Sequence, residues 1–341
     1  CVFTPSGEGN KYVKILQNTF IDEAGNSNKT TQIFNWSFTK SIITLSLSKD
    51  SVYSGENINI DLSIDPPSSI DHILTFSSLG NAEIEDDYTF SSYGEISTIA
   101  GTGQPGNSIN QLNSPNAIVT DIQGNIYIAD SDNDRVQKWT PGATEGVTVA
   151  GGNGNGSAAN QFNFPSAVAI DEENNLYVAD YFNYRIQKWT PGATEGTTVA
   201  GGNGYGSNAN QLHNPIDVVI DSLGNLFISD RANHRIQKWE PGATSGTTVA
   251  GGNGTRINAN QLNSPSQIEF DNLGSLYVLD RPNHRVQKFT ANGEWILTIG
   301  VQGQGQGEFN SAMVIAIDSD DNMYVTDWGN NRVQVFDATG N

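Results

Sequence analysis

Between about Ser97 and Phe336 the chain says nearly the same thing five times. The runs Pro165 to Asp171, Asn175 to Asp180, Arg185 to Trp189 and Thr197 to Gly202 return after a shift of about fifty residues. Asp130, Asp180, Asp230 and Asp280 keep that spacing, as do Arg135, Arg185, Arg235 and Arg285. A slightly shorter fifth copy carries Asp327 and Arg332. A unit of this size cannot bury its apolar side alone, so the period restricts the chain to a stacked or circular array.

Each unit resolves into four short strands. The first is a run such as Ala167-Val168-Ala169-Ile170, and the second a run such as Leu226-Phe227-Ile228-Ser229-Asp230. Between them stands a turn rich in Asp, Gly and Asn, such as Asp221-Ser222-Leu223-Gly224-Asn225, which is a hairpin signal. The third, Arg235-Ile236-Gln237-Lys238-Trp239, alternates apolar and polar residues, and Pro241-Gly242 turns it into the fourth, Thr247-Thr248-Val249-Ala250. Strands one and two are nearly all apolar, and three and four are more polar. An all-β propeller of four-stranded blades, buried near the axis and wetter outward, fits that gradient.

The pattern Pro-x-x-Val-x-Ile-Asp, Gly-Asn-Leu-Tyr-Val-x-Asp, Asn-x-Arg-Ile-Gln-Lys-Trp is similar to the NHL repeat, over roughly residues 97 to 341. The resemblance implies a β-propeller over 95–341, most often six-bladed in that family. Two readings of the ring stand. The orphan run Ile96-Ser97-Thr98-Ile99-Ala100-Gly101 supplies the missing fourth strand of the last blade and closes five blades. Alternatively, the five repeats are an open piece of a six-bladed ring.

The first third alternates short β-type runs with turns, as β-sandwich modules do. Residues 1–40, through Phe3-Thr4-Pro5-Ser6-Gly7, Phe20 to Asn26 and Phe34 to Phe38, resemble part of a bacterial Ig-like domain. Residues 41–94, through Ile43 to Ser48, Ile58 to Ile64 and Asn81 to Thr89, resemble part of a Calx-beta sandwich. That second family implies Ca²⁺ bound by acidic loops, with Glu85, Asp86 and Asp87 as its weak candidates here; a solvated acidic turn is the plainer expectation. No other cofactor is expected. Both modules read as β-sandwich fragments acting as spacers.

The formal charge of −20, from 37 acidic against 17 basic residues, excludes nucleic acid as a partner, since that affinity is built on Lys and Arg. No run of about 18 apolar residues spans a membrane. Cys1 is the single cysteine and leaves two expectations, a fragment of a larger multidomain chain or a lipid-bearing first residue. An extracellular or cell-surface location is the expectation that follows.

Several motifs point to chemistry and fall short of it. Gly152-Asn153-Gly154-Asn155-Gly156 suggests a phosphate loop, but no helix opens after it. Asp180 and Arg185 straddle a turn, so a charge pair bonding that turn's backbone explains both. Trp139, Trp189 and Trp239 read as blade packing. His234 and His284 stand at equivalent positions, where other copies hold Asp134, Tyr184 and Asn331, as in a varying loop.

The copies differ most in the turn between strands two and three. That turn and the glycine-rich link to the next blade share one face of a four-stranded meander. The face collects Tyr181, Phe182, Tyr184, Tyr205, Arg231, His234, Arg256, Arg281, His284 and Trp328. Aromatic residues and Arg dominate binding hot spots. The expected function is a non-catalytic binding or adhesion scaffold whose rim engages a protein or carbohydrate partner. The alternative is a metal-dependent lactonase or lyase, implied by propeller enzymes that resemble this family.

Overall fold

The computed structural model divides into two compact units, Cys1–Glu95 and Ile96–Asn341. It describes residues 98–255 and 257–340 throughout, and in the first unit six short strands only. Those strands form two three-stranded antiparallel sheets. One sets Val2–Pro5 between Val13–Lys14 and Leu74–Ser77; the other sets Ser41–Leu47 between Phe34–Phe38 and Ile60–Asp65. The side chains behind the Ig-like and Calx-beta-like resemblances lie outside the described residues, as do Glu85, Asp86, Asp87 and Arg256.

The second unit is an all-β propeller. Its second blade runs outward from the axis as Pro165–Ile170, Leu176–Asp180, Arg185–Trp189 and Thr197–Gly201, each strand antiparallel to the last. Blade one (Pro115–Thr120 to Val147–Gly151), blade three (Pro215–Ile220 to Thr247–Gly251) and blade four (Ile268–Phe270 to Trp295–Ile299) repeat that order. Blade five has three strands, Ala312–Ile317, Met323–Asp327 and Arg332–Phe336.

Local chemistry makes each turn. Asp221 Oδ1 accepts from the N–H groups of Leu223 and Asn225, and Oδ2 from Asn225 Nδ2, which folds the first hairpin. Strands two and three are joined by a one-turn 3-10 segment, such as Tyr181–Asn183. The residue closing it is left-handed in all five copies: Asp134, Tyr184, His234, His284 and Asn331 have φ between 51 and 57°. Asp, Asn and His tolerate that region; Tyr184 is the costly exception.

Adjacent blades pack face to face. Ala167, Ala169, Tyr177, Ala179 and Ile186 of blade two meet Leu212, Val218, Leu226, Ile228 and Trp239 of blade three. Trp139, Trp189 and Trp239 are buried, as blade packing requires. A Cβ at Gly146, Gly196 or Gly246 would run into the indole of the same blade, which explains a glycine at each of these positions. The third strand departs from the expected polarity gradient. Arg185, Ile186, Gln187 and Trp189 are all buried, and only the fourth strand is wet. Arg185 goes inside because loop carbonyls meet its guanidinium.

The two readings of the ring separate at its ends. Residues 98–101 pair with no strand of blade five; Gly101 instead lies against Leu112 as Gly201 lies against Leu212. Residues 98–101 therefore occupy the place of a fourth strand preceding blade one, and five-bladed closure through them is not formed. The end faces stay open. Val333 is 63% exposed where its counterpart Ile186 is 0%, and Ile118 is 62% exposed where Val218 is 2%. This gives an expected contrast. Ile186→Val, losing one methylene, costs about 1 kcal/mol of stability, while the larger truncation Val333→Ala stays within about 0.5 kcal/mol. Urea unfolding of the two variants measures it, and equal losses would refute the open end.

Candidate functional site

The constant residues of the repeat are structural. Asp180 Oδ1 accepts from Asn163 N–H at 2.8 Å, and Oδ2 accepts from Asn183 Nδ2 and Arg185 Nε at 2.9 and 2.8 Å. Arg185 spends its remaining donors on the carbonyls of Ser157, Ala158 and Gln161, at 2.9, 3.0 and 2.9 Å. Asn183 also donates to Gly156 O at 2.8 Å. The pair thus reaches past its turn and straps down the glycine-rich link, which puts turn and link on one face. The same Asp–Arg contact recurs at 2.7 to 2.9 Å in all five copies.

The varied residues on that face fall into three groups. His234 and His284 bridge blades: His234 Nδ1 accepts from Ser264 N–H at 2.9 Å and His284 Nδ1 from Ser311 N–H at 3.3 Å. Asp134 does the same with Phe164 N–H. In three of the five copies the position thus holds an acceptor for the next blade.

Aromatic clusters make the second group. Tyr181 and Phe182 stand edge to face at 4.8 Å, both against Phe164, and Phe182 is 47% exposed. Further out, Tyr184 meets Tyr205 at 5.6 Å, and both rings touch His213.

Arg231, Arg281 and Trp328 form the third group, each the first residue of its turn. Trp328 is exposed. Arg231 Nη1 donates to Tyr181 Oη at 3.3 Å, and neither arginine joins an ion pair among the described residues. Both border a central cavity of about 770 Å³, walled by the first strands of the five blades.

Two residues of that cavity wall were not foreseen. Asp217 and Glu269 lie on first strands that read as apolar. Burial pushes the Asp217 carboxyl up to about 7, against the pull of the Ile268 and Val218 N–H groups and with help from the charge of Glu269. Burial also raises Glu269, against a bond from the backbone of Phe270. The signal was present in the copies. Position 217 corresponds to Ala117, Ala167, Gln267 and Val314, and position 269 to Val119, Ala169, Val219 and Ala316.

Among the described residues no three His, Cys, Asp or Glu side chains gather as a metal requires. No helix there is long and apolar enough to cross a membrane. Residues 162–189 and 212–239 match the NHL repeat, and residues 258–341 match a family described as a 6-bladed beta-propeller. No curated protein sequence matches the chain significantly. Among solved structures, an auxiliary nutrient binding protein from Bacteroides ovatus ATCC 8483 is similar over 68% of this chain and 60% of its own, at 19% identity and TM-score 0.52. Another auxiliary nutrient binding protein, from Bacteroides thetaiotaomicron VPI-5482, is similar over 66% of this chain and 59% of its own, at 15% identity and TM-score 0.51. A nidogen/laminin complex chain is similar over 66% of this chain and 76% of its own, at 18% identity and TM-score 0.50. At these identities the likeness is one of fold.

Proposed function

We propose that the propeller is a non-catalytic binding scaffold that engages a protein or carbohydrate partner on the face of its varied turns, at the cell surface. The observation that carries the reading is the pair Arg231 and Arg281. Every constant arginine of the repeat is tied to a carboxylate and to loop carbonyls, whereas these two join no carboxylate among the described residues, and Trp328, at the equivalent turn position, is exposed. Arg side chains without a carboxylate partner and exposed aromatic side chains on one face are what a hot spot is made of. The description of two fold neighbours as nutrient binding proteins is in keeping with this.

Arg231→Ala combined with Arg281→Ala is expected to weaken the ligand found on a glycan or protein array by about tenfold or more, with the melting temperature unchanged, since truncating a hot-spot Arg costs about 2 kcal/mol. Unchanged affinity in the double variant overturns the reading. So does a stoichiometric, tightly held metal in purified protein.

A further inference from the structure

The central cavity holds charges that packing does not need. Asp217 Oδ2 accepts from Ile268 N–H at 2.9 Å, bridging blade three to blade four. One blade on, Gln267 Oε1 makes the same bridge to Ile315 N–H at 2.7 Å without a charge, and blades one and two do without it, holding Ala117 and Ala167. The carboxylate at 217 is therefore surplus to the architecture. Glu269 is more so, because all four counterparts are apolar. A half-buried carboxylate without a cation costs stability, and such groups gather where a site uses them.

Among the described residues, Asp217, Glu269, Arg231 and Arg281 are the only titratable side chains that line the cavity. No ion pair joins them to each other. The wall is acidic and the mouth is cationic, with the Tyr181 hydroxyl at the Arg231 guanidinium. The volume lies within the range of small-ligand clefts.

Each part constrains the occupant. Two guanidinium forks at the mouth select a planar carboxylate. The acidic wall rejects further anions, which rules against polyphosphates, and it needs donors, which rules against fatty acids. Hydroxyl groups are neutral donors that meet both demands, and Ile118, Val168 and Phe270 offer apolar surface for the C–H faces of a sugar.

We propose that this cavity seats a short oligosaccharide bearing a uronate carboxylate, held by Arg231 and Arg281, while its ring hydroxyls donate to Asp217 and Glu269. The proposal rests on the binding function above and names its ligand class.

Calorimetry on the full chain tests it with three probes: a sugar trimer bearing a single glucuronic acid, its methyl ester and a zwitterionic tripeptide. The trimer is expected to bind at least tenfold more tightly than either other probe. Arg281→Ala should cost it about tenfold. Asp217→Gln and Glu269→Val, which copy residues from other blades and so preserve the fold, should weaken it fivefold or more while circular dichroism stays unchanged. Binding should weaken as pH falls from 8 to 6, because Asp217 takes up a proton in that range and a ring hydroxyl donates more strongly to its charged form.

Equal binding of trimer and ester, tighter binding of the peptide, or indifference to Glu269→Val overturns the proposal. If the trimer does not bind but an array ligand sensitive to the double arginine variant does, the ligand class is wrong and the binding function stands. If the array also finds nothing, both fall.

Discussion

Arg185→Ala is expected to remove about 3–5 kcal/mol of stability, the cost of breaking a buried ion pair from one side. The residue carries a pair with Asp180 and three bonds to the carbonyls of Ser157, Ala158 and Gln161. Truncation leaves a fully buried carboxylate with two donors and three loop carbonyls with one fewer. Burial already lifts Asp180 above its ordinary range despite Asn163, Asn183 and Arg185, so the carboxylate has little margin to stay charged alone. The same change in the open blade is a control. Arg332 makes the same contact to Asp327 at 2.9 Å, but its side chain is 27% exposed where that of Arg185 is 9%. Burial pulls Asp327 upward too, yet there the bonds from Asn310, Asn330 and Arg332 prevail and the carboxyl lies below its ordinary value. Water replaces the lost guanidinium, and Arg332→Ala should cost about 1–2 kcal/mol, near the value of a partly exposed charged hydrogen bond. Urea midpoints of the two variants compare them directly. Equal losses would mean that the pair matters through its own turn and that the strap to the link contributes little.

The propeller was legible in the sequence because its rules are local. A period near fifty, an Asx turn after strand one and an apolar run on either side leave few alternatives. The Asp–Arg pair was legible as structural for the same reason: a residue present in every copy serves what every copy needs. The burial of strand three was not legible, because Arg185 and Gln187 are buried only once the link from the previous blade folds over them, and that contact spans about 25 residues. The varied rim was half legible. His234 and His284 read as loop variation, yet they are acceptors for the next blade, a role visible only when Ser264 and Ser311 are placed beside them. Asp217 and Glu269 stand on strands that are apolar on average, so the strand pattern alone does not mark them. Their departure from the other copies was the same kind of signal as Arg231 and Arg281, on a strand where nobody expects charge. The site therefore draws on residues from two sequence neighbourhoods that meet only around the axis.

Asp217 carries the second large effect, and it is one of pH. In the folded chain its carboxyl holds a proton up to about 7, against an ordinary value of 3.8. Between those values the native state binds the proton and the unfolded state does not, so stability falls as pH rises through the window and levels off above it. Three units at about 1.4 kcal/mol each would set the ceiling near 4 kcal/mol; the residue is only half-buried, and about 2 kcal/mol is the expected loss between pH 5 and pH 8. Asp217→Gln keeps an acceptor for Ile268, as Gln267 does for Ile315. The variant should match the parent near pH 5 and exceed it at pH 8, with a residual slope from Glu269, which burial raises in the same direction. Carboxylates held below their ordinary value, such as Asp171, where bonds from Asn175 and Tyr177 and the charge of Lys188 outweigh burial, act below this window and cancel in the difference. Guanidine unfolding at four pH values decides it. A difference that is flat from pH 5 to pH 8 would show a carboxylate already charged and hydrated, with no cost for a ligand hydroxyl to relieve. A difference that opens with pH would mean that the cavity wall is held, unliganded, at the expense of the fold.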